Sequence, residues 1–303
     1  MAAYPLIVEI KGNSLDDGPG IRSVIFFKGC PLSCSWCHNP ECQSARRELM
    51  FDPEKCIGCG SCIERCPRQA LSRENVFFVD REACELCFSC CAVCPAAALA
   101  PVGRRMEPGE IAARVLKDKP FFDNSGGGVT LSGGEPTMQM AFMVELLEAL
   151  KEKGVHTLIE TCGLFELAEF RRLALPLIDI IYMDLKLIDS GLHKRFCGAD
   201  NAVILENMVR LHELSRSGKF SIIPRLPLVP GITATAANLA AAAQFLRRHG
   251  FKESRLLPYN PLWGEKLYRI GLPNPYAKEH PMMHWLPKEV LERSTQLWKE
   301  YGL

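Results

Sequence analysis

The feature that most constrains this chain is a cysteine spacing that occurs twice. Cys56-x2-Cys59-x2-Cys62-x3-Cys66-Pro67 returns as Cys84-x2-Cys87-x2-Cys90-x3-Cys94-Pro95. The chain has 15 cysteines in 303 residues, and all but Cys162 and Cys197 lie between Cys30 and Cys94. In a small secreted domain such density reads as a disulfide framework. Here the stretch Met1 to Ile10 lacks a basic start and carries Glu9 inside its apolar run, so it does not read as a signal peptide. The chain is also long enough to build an ordinary apolar core. The expected location is the cytoplasm. In a reducing compartment a dense cysteine cluster points to metal ligation or redox chemistry.

The repeated spacing resembles the bacterial ferredoxin run that holds [4Fe–4S] clusters, in which three thiolates come from one tight turn and the fourth from the other repeat. The ligand sets implied are Cys56, Cys59 and Cys62 with Cys94, and Cys84, Cys87 and Cys90 with Cys66, where Cys91 could take the place of Cys90. Structural zinc is the rival, because it too uses Cys-x2-Cys pairs. Zinc has no need of a third cysteine at the same spacing and then Cys-Pro, twice over. Upstream lies Cys30-Pro31-Leu32-Ser33-Cys34-Ser35-Trp36-Cys37. It offers three thiolates, which would leave one iron of a cubane open to a substrate, as catalytic metal sites keep an open position. A zinc knuckle completed by His38 is the alternative. Cys42, Cys91, Cys162 and Cys197 are left over, and buried inert thiols are the simplest reading of them.

Outside the cysteines the chain alternates strand and helix patterns. Apolar, β-branched runs occupy Ile21–Lys28, Gly128–Ser132, Val155–Thr161, Ile178–Lys186, Phe220–Leu228 and Glu253–Tyr259. Continuous runs of this kind suit strands buried on both faces. Helical periodicity marks Glu107–Lys119, Met138–Lys153, Glu166–Leu173, Leu205–Arg216, Ala234–His249 and Pro287–Tyr301. This alternation specifies an α/β fold with a parallel sheet and right-handed crossovers. Six units are too few for a closed eight-fold barrel, so a partial (β/α)6 TIM-like barrel is expected. Residues 1–51 and 101–303 would form it, and 52–100 would be a ferredoxin-like insert. A net charge of +1 gives no bulk case for nucleic acid or an anionic membrane, and no apolar run is long enough to span one. In βα barrels the chemistry sits on loops at the C-terminal ends of strands. Cys30–Cys37, Gly133-Gly134-Glu135, Glu160-Thr161, Asp184-Leu185-Lys186, Arg225 and Tyr259-Asn260 all fall at or near such ends.

Three stretches carry a family resemblance. They are Asp17-Gly18-Pro19-Gly20-Ile21-Arg22, then Phe26-Phe27-Lys28-Gly29-Cys30 through Cys37-His38-Asn39-Pro40, and Ser125 through Glu135 with Gly126-Gly127-Gly128 and Gly133-Gly134. The chain resembles the glycyl-radical-enzyme activating enzymes of the radical S-adenosylmethionine (SAM) superfamily, in the longer form with a ferredoxin-like insert. The resemblance implies an oxidoreductase that cleaves SAM reductively at a cluster held by Cys30, Cys34 and Cys37. The resulting 5′-deoxyadenosyl radical would take a hydrogen from a backbone glycine of a partner enzyme. The cofactors carry the hard chemistry, so no catalytic acid or base is implied. Three [4Fe–4S] clusters and SAM are expected, with a low-potential donor such as flavodoxin or ferredoxin and an anaerobic setting. Trp36, Cys37 and His38 would flank the ligand. Gly134 would let backbone approach its ammonium group, and Glu135 would accept a hydrogen bond from it. Asp184, Leu185 and Lys186 would hold it from one strand, Arg225 would pair with its carboxylate, and Asn260 stands where relatives often carry histidine. Asp16, Asp17 and Arg22 would lie at the barrel mouth, and Glu160, Thr161 and Met183 would make a cation site beside Asp184. Two other functions compete: a radical SAM enzyme acting on a small molecule, and a ferredoxin-type electron carrier.

Overall fold

A computed structural model describes residues 4–303. β1 (Leu6–Ser14) runs antiparallel to β2 (Arg22–Phe27). β3 (Glu48–Phe51) and β4 (Leu99–Val102) pair with each other and bracket the cysteine-rich segment. β5 (Arg104–Arg105) returns to the free edge of β1. β6 (Gly128–Gly133), β7 (Thr157–Thr161), β8 (Ile180–Asp184), β9 (Ser221–Leu228) and β10 (Arg255–Pro258) follow. The main sheet has the order β10-β9-β8-β7-β6-β2-β1-β5, and β2 and β6 to β10 are parallel. The six expected strands are therefore the six parallel ones. β1 escaped the pattern because it is antiparallel and alternates exposed Glu9 and Lys11 with apolar neighbours.

Helices Pro108–Val115, Met140–Lys151, Leu167–Leu173, Ala202–Ser215, Ala236–Arg248 and Lys288–Glu300 lie where the periodicity puts them. The first stops early. Pro120 lacks the N–H a continuing helix needs, so a 3-10 turn intervenes and a new helix, Lys119–Ser125, starts with that proline in its first turn. Two further helices, Ser190–Cys197 and Trp263–Arg269, were not read from the sequence.

The parallel strands are not apolar on both faces. Ile25, Phe27, Val129, Leu131, Ile159, Ile181, Met183, Leu226 and Leu228 face the helices and form the main core. Strand alternation puts Thr130, Ser132, Glu160, Tyr182, Asp184 and Arg225 on the opposite, inner face. Leu158, Tyr182 and Ile223 make a small separate apolar cluster there. Two sequence expectations fail by this parity. Leu185 and Met183 belong to the helix-facing core, so neither side chain lines the inner face. Leu185 contributes its backbone, donating its N–H to the Arg225 carbonyl at 2.8 Å.

The Asp17–Arg22 stretch is also placed differently. It precedes β2, whereas the mouth lies where β2 ends. Arg22 is fully buried inside the sheet, donating to Thr130 Oγ1 (2.6 Å) and the Val129 carbonyl (2.7 Å), while Thr130 Oγ1 donates to the Asp17 carbonyl (2.7 Å). Burial lowers the Arg22 pKa to about 10.

The cysteine-rich segment has its own apolar core of Leu49, Phe51, Leu71, Phe78, Val79, Ala98 and Leu99. Its two halves repeat in backbone as well as in sequence. Gly58, Gly60 and Gln69 adopt positive φ, and so do Leu86, Phe88 and Ala97 at equivalent places in the second half. Left-handed backbone is easy for glycine and costly for Leu86 and Phe88. Phe88 gains a compensating contact, with the Arg47 guanidinium 4.4 Å from its ring centre.

Candidate functional site

The Cys30–Cys37 loop leaves β2 and is held from several directions. Gly29 N–H donates to the Cys42 carbonyl (2.7 Å) and Cys30 N–H to that of Gln43 (3.0 Å). Ser33 and Ser35 N–H groups donate to the carbonyls of Cys197 and Phe196, both at 2.9 Å, which ties the loop to the end of helix Ser190–Cys197. Lys266 donates to the His38 carbonyl (2.9 Å), Asn39 Oδ1 (2.8 Å) and Glu41 Oε1 (3.1 Å), joining helix Trp263–Arg269 to the far side of the loop. Trp36 is buried among Leu187, Val229, Tyr259, Trp263 and Met282, where it packs the wall behind the loop. The His38 ring lies 5.9 Å from that of Tyr259. Burial, with the nearby Lys266 charge, keeps its pKa low. Burial pushes the Cys37 thiol up to about 12, so coordination to a metal centre is what would hold it as thiolate.

Gly134 and Glu135 help to seat the cysteine loop. A Cβ on Gly134 would stand 2.1 Å from the Gly29 carbonyl oxygen and 2.7 Å from that of Cys42. The missing side chain makes room for the base of the cysteine loop. Glu135 is 1% exposed. It accepts hydrogen bonds from Thr137 Oγ1 (2.7 Å), Thr161 Oγ1 (2.9 Å) and Cys162 N–H (2.7 Å). Its carboxylate clamps the ends of β6 and β7 together, and Thr161 is drawn into that clamp, away from the inner face. Asn260 Oδ1 accepts from Leu262 N–H at 3.3 Å, capping the turn into helix Trp263–Arg269.

At the C-terminal ends of the strands the inner face carries a continuous ionic chain. Ser132 Oγ donates to Glu160 Oε2 (2.6 Å), and Arg225 Nη1 donates to Glu160 Oε1. Arg225 also reaches Asp184 Oδ1 through Nε (3.2 Å) and Nη2 (3.1 Å), and Lys186 Nζ donates to Asp184 Oδ2 (2.7 Å). Burial works against the charges of Asp184, Lys186 and Arg225, but the opposite neighbours prevail. Asp184 is held below its ordinary value, and Lys186 and Arg225 are pushed above theirs. Cys34 packs against the apolar cluster that contains Leu187, the residue after Lys186, so the ionic chain and the cysteine loop adjoin. Ser132 and the bridging role of Glu160 were missed. Counting in twos back from Asp184 across the sheet would have found both.

The second half of the chemistry lies in the insert. Cys56, Cys59, Cys62 and Cys94 line one cavity, with Phe51, Phe78 and Leu99 as walls. Cys66, Cys84, Cys87 and Cys90 line another, with Leu49 and Leu71. Ala70 N–H donates to Cys66 Sγ (3.3 Å) and Ala98 N–H to Cys94 Sγ (3.2 Å), the same contact in each repeat. Four thiols around an apolar cavity, with backbone donors aimed at sulfur, fit a cubane. Among the described residues no three cysteine, histidine or acidic side chains gather around a single point as one metal ion requires.

The description "Radical SAM superfamily" matches residues 83–240, and "4Fe-4S binding domain" matches residues 49–72. The chain is 41% identical to a trans-4-hydroxy-L-proline dehydratase activating enzyme of Clostridioides difficile, over 88% of each chain. The chain belongs to the radical SAM superfamily, among the glycyl-radical-enzyme activating enzymes. Radical SAM activating enzymes cleave SAM and generate a radical on a partner enzyme, and a glycyl radical enzyme is the partner here. A benzylsuccinate synthase activating enzyme of Thauera aromatica is 42% identical, over 81% of this chain and 75% of that one. In fold, the chain resembles a radical SAM methyltransferase from Sphaerobacter thermophilus. The TM-score is 0.55 at 15% identity, covering 99% of this chain and 76% of the other. Among the described residues no helix is long and apolar enough to cross a membrane.

Proposed function

We propose that this activating enzyme holds its SAM-binding cluster on Cys30, Cys34 and Cys37, and two auxiliary clusters on the crossed cysteine sets of the insert. The observation that carries this reading is the Glu160–Arg225–Asp184–Lys186 chain beside Cys34. The methionine end of SAM is a zwitterion, with an ammonium and a carboxylate a few atoms apart. An array of alternating buried charges offers a partner to each. Arg225 presents a planar donor fork suited to the carboxylate. Asp184 and Glu160 suit the ammonium. Lys186 keeps the array from carrying a net negative charge beside the thiolates.

When bound, cluster and SAM supply the electron and the 5′-deoxyadenosyl radical that removes the glycine hydrogen. The chain's own residues bind, orient and exclude water. Glu135 and Gly134 fix the loop, and Trp36 and Tyr259 seal its rear wall. Cys56 and Cys59 are exposed, so the first cavity of the insert lies within reach of an external low-potential donor such as flavodoxin or ferredoxin. A reducing cytoplasm suits this inventory of thiols.

The test is anaerobic reconstitution followed by dithionite reduction with SAM. Wild type releases 5′-deoxyadenosine, and Cys34→Ala with intact insert clusters releases none. Iron-loaded wild type that yields no product, with or without the partner enzyme, refutes the proposal.

A further inference from the structure

Two arginine doublets flank the insert in sequence. Arg46 and Arg47 precede β3, and Arg104 and Arg105 follow β4. Because β3 and β4 pair antiparallel, with Glu48 opposite Val102, the doublets come together in space. All four side chains are exposed, and they line one open concavity of about 730 Å³. The net charge of the chain is +1, so this is a local excess of positive charge. Arg104 reaches Glu110 at 3.3 Å. Among the described residues no carboxylate pairs with Arg46, Arg47 or Arg105. The buried cation of the group, Lys28, is already held by Glu48 and the Glu41 carbonyl. No buried charge therefore awaits a small anion here. The charges stand on the rim, where a second protein surface would meet them.

The concavity is tied to one redox site of the insert. Arg47 donates to the Gly103 carbonyl (3.2 Å), and its guanidinium lies 4.4 Å from the ring centre of Phe88. Phe88 in turn lines the cavity of Cys66, Cys84, Cys87 and Cys90, and Cys87 is exposed. The barrel's ionic chain is remote from it in the sheet: β6, β2 and β1 stand between β5 and β7, which carries Glu160. We propose that the Arg46–Arg47 and Arg104–Arg105 face is the docking surface of an acidic electron-carrier protein, which delivers its electron to the cluster held beside Phe88. The proposal rests on the reading that the insert holds two clusters served by an external low-potential donor. One electron leaves the reduced centre of the carrier and enters an oxidised cluster; no bond forms or breaks. A carrier must dock quickly and leave quickly. Exposed charge serves that need, because it raises the association rate more than it holds the complex together. Redox encounters of this kind also bury little surface, as an open concavity rimmed by arginines would.

The experiment is anaerobic stopped-flow reduction of the reconstituted full chain by a prereduced acidic flavodoxin, read from the flavin absorbance. Wild type should react with a second-order rate that falls steeply as salt is raised. Arg46→Glu with Arg105→Glu should lower that rate about tenfold or more at low salt and flatten the salt dependence. Iron content and the rate of reduction by dithionite, which needs no docking face, should match wild type. Arg46→Gln with Arg105→Gln should fall between the two, and it decides if the glutamate variant loses iron. Variants reduced by flavodoxin as fast as wild type overturn the proposal. Equal slowing with dithionite overturns it too, since the cluster and not the surface would have changed. Glycyl radical formation with dithionite as reductant should be unaffected; its loss would assign the face to the glycyl radical enzyme and overturn the proposal. A wild-type insert that binds no iron overturns the proposed function, and this proposal with it.

Discussion

The crossed ligation of the insert can be tested by counting iron. Cys94 follows the second cysteine run in sequence but lines the cavity of the first, and Cys66 does the converse. Each cubane holds four irons, so the three proposed clusters would give about twelve per chain and each single Cys→Ala would cost about four. Paired substitutions decide the partition. Cys56→Ala with Cys94→Ala strikes one cavity twice and should leave about eight irons, no fewer than either single change. Cys84→Ala with Cys94→Ala strikes both cavities and should leave about four. Cys66→Ala should mirror this, being redundant with Cys84→Ala and additive with Cys56→Ala. Iron and sulfide would be measured after anaerobic reconstitution, with Mössbauer spectra to exclude loosely bound iron. The opposite pattern, four irons left by the first pair and eight by the second, would show that each run ligates within itself. The cavity geometry would then be misleading about the holoprotein.

Three other outcomes follow from the geometry. Gly134→Ala should destabilise the fold by about 2 kcal/mol in urea unfolding, because the added Cβ overlaps the Gly29 and Cys42 carbonyls, and it should lower iron retention at the three-cysteine site. Arg225→Lys keeps a charge but loses the fork that spans Glu160 and Asp184, so SAM affinity by equilibrium dialysis should fall about tenfold while iron content holds. Asp179 is held below its ordinary pKa: burial opposes its charge, but the bonds from Lys151 (2.6 Å) and Thr157 N–H (2.7 Å) prevail. Its contribution is therefore complete above the unfolded carboxylate value of about 4 and is lost as pH falls through the lower folded value. Asp179→Asn should cost about 1–2 kcal/mol at neutral pH and much less near pH 2, measured by thermal unfolding across that range.

Much of the site was legible because its information is local. The cysteine spacings, the six parallel strands and the basic and acidic residues at their ends are properties of short segments. Asp184, Lys186 and Arg225 were read correctly as neighbours of one strand-end site, since parallel strands bring their C-terminal ends together. Other readings failed where the outcome depended on which way a side chain points or what lies across the sheet. Leu185 and Met183 sit one residue away from inner-face positions, and a shift of one residue changes the face. The resemblance puts Asp16, Asp17 and Arg22 at the mouth, but they lie where the chain enters β2 rather than where it leaves it. The resemblance gives Gly134 and Glu135 to the ligand, and the fold adds a use that no local pattern shows, since they also seat the cysteine loop.

The sequence alone determined the chemistry available to this protein. Three cysteine motifs of specific spacing imply iron–sulfur ligation, because a cubane can be gripped by a short turn whatever surrounds it. Tertiary structure alone decided what packs against the first cysteine loop. The Ser33 and Ser35 N–H groups meet the carbonyls of Cys197 and Phe196 at a helix end far along the chain, and Lys266 holds the far side of the loop from another helix. No spacing rule records such a meeting, because it is set by sheet register and helix packing, which sum contributions from the whole core.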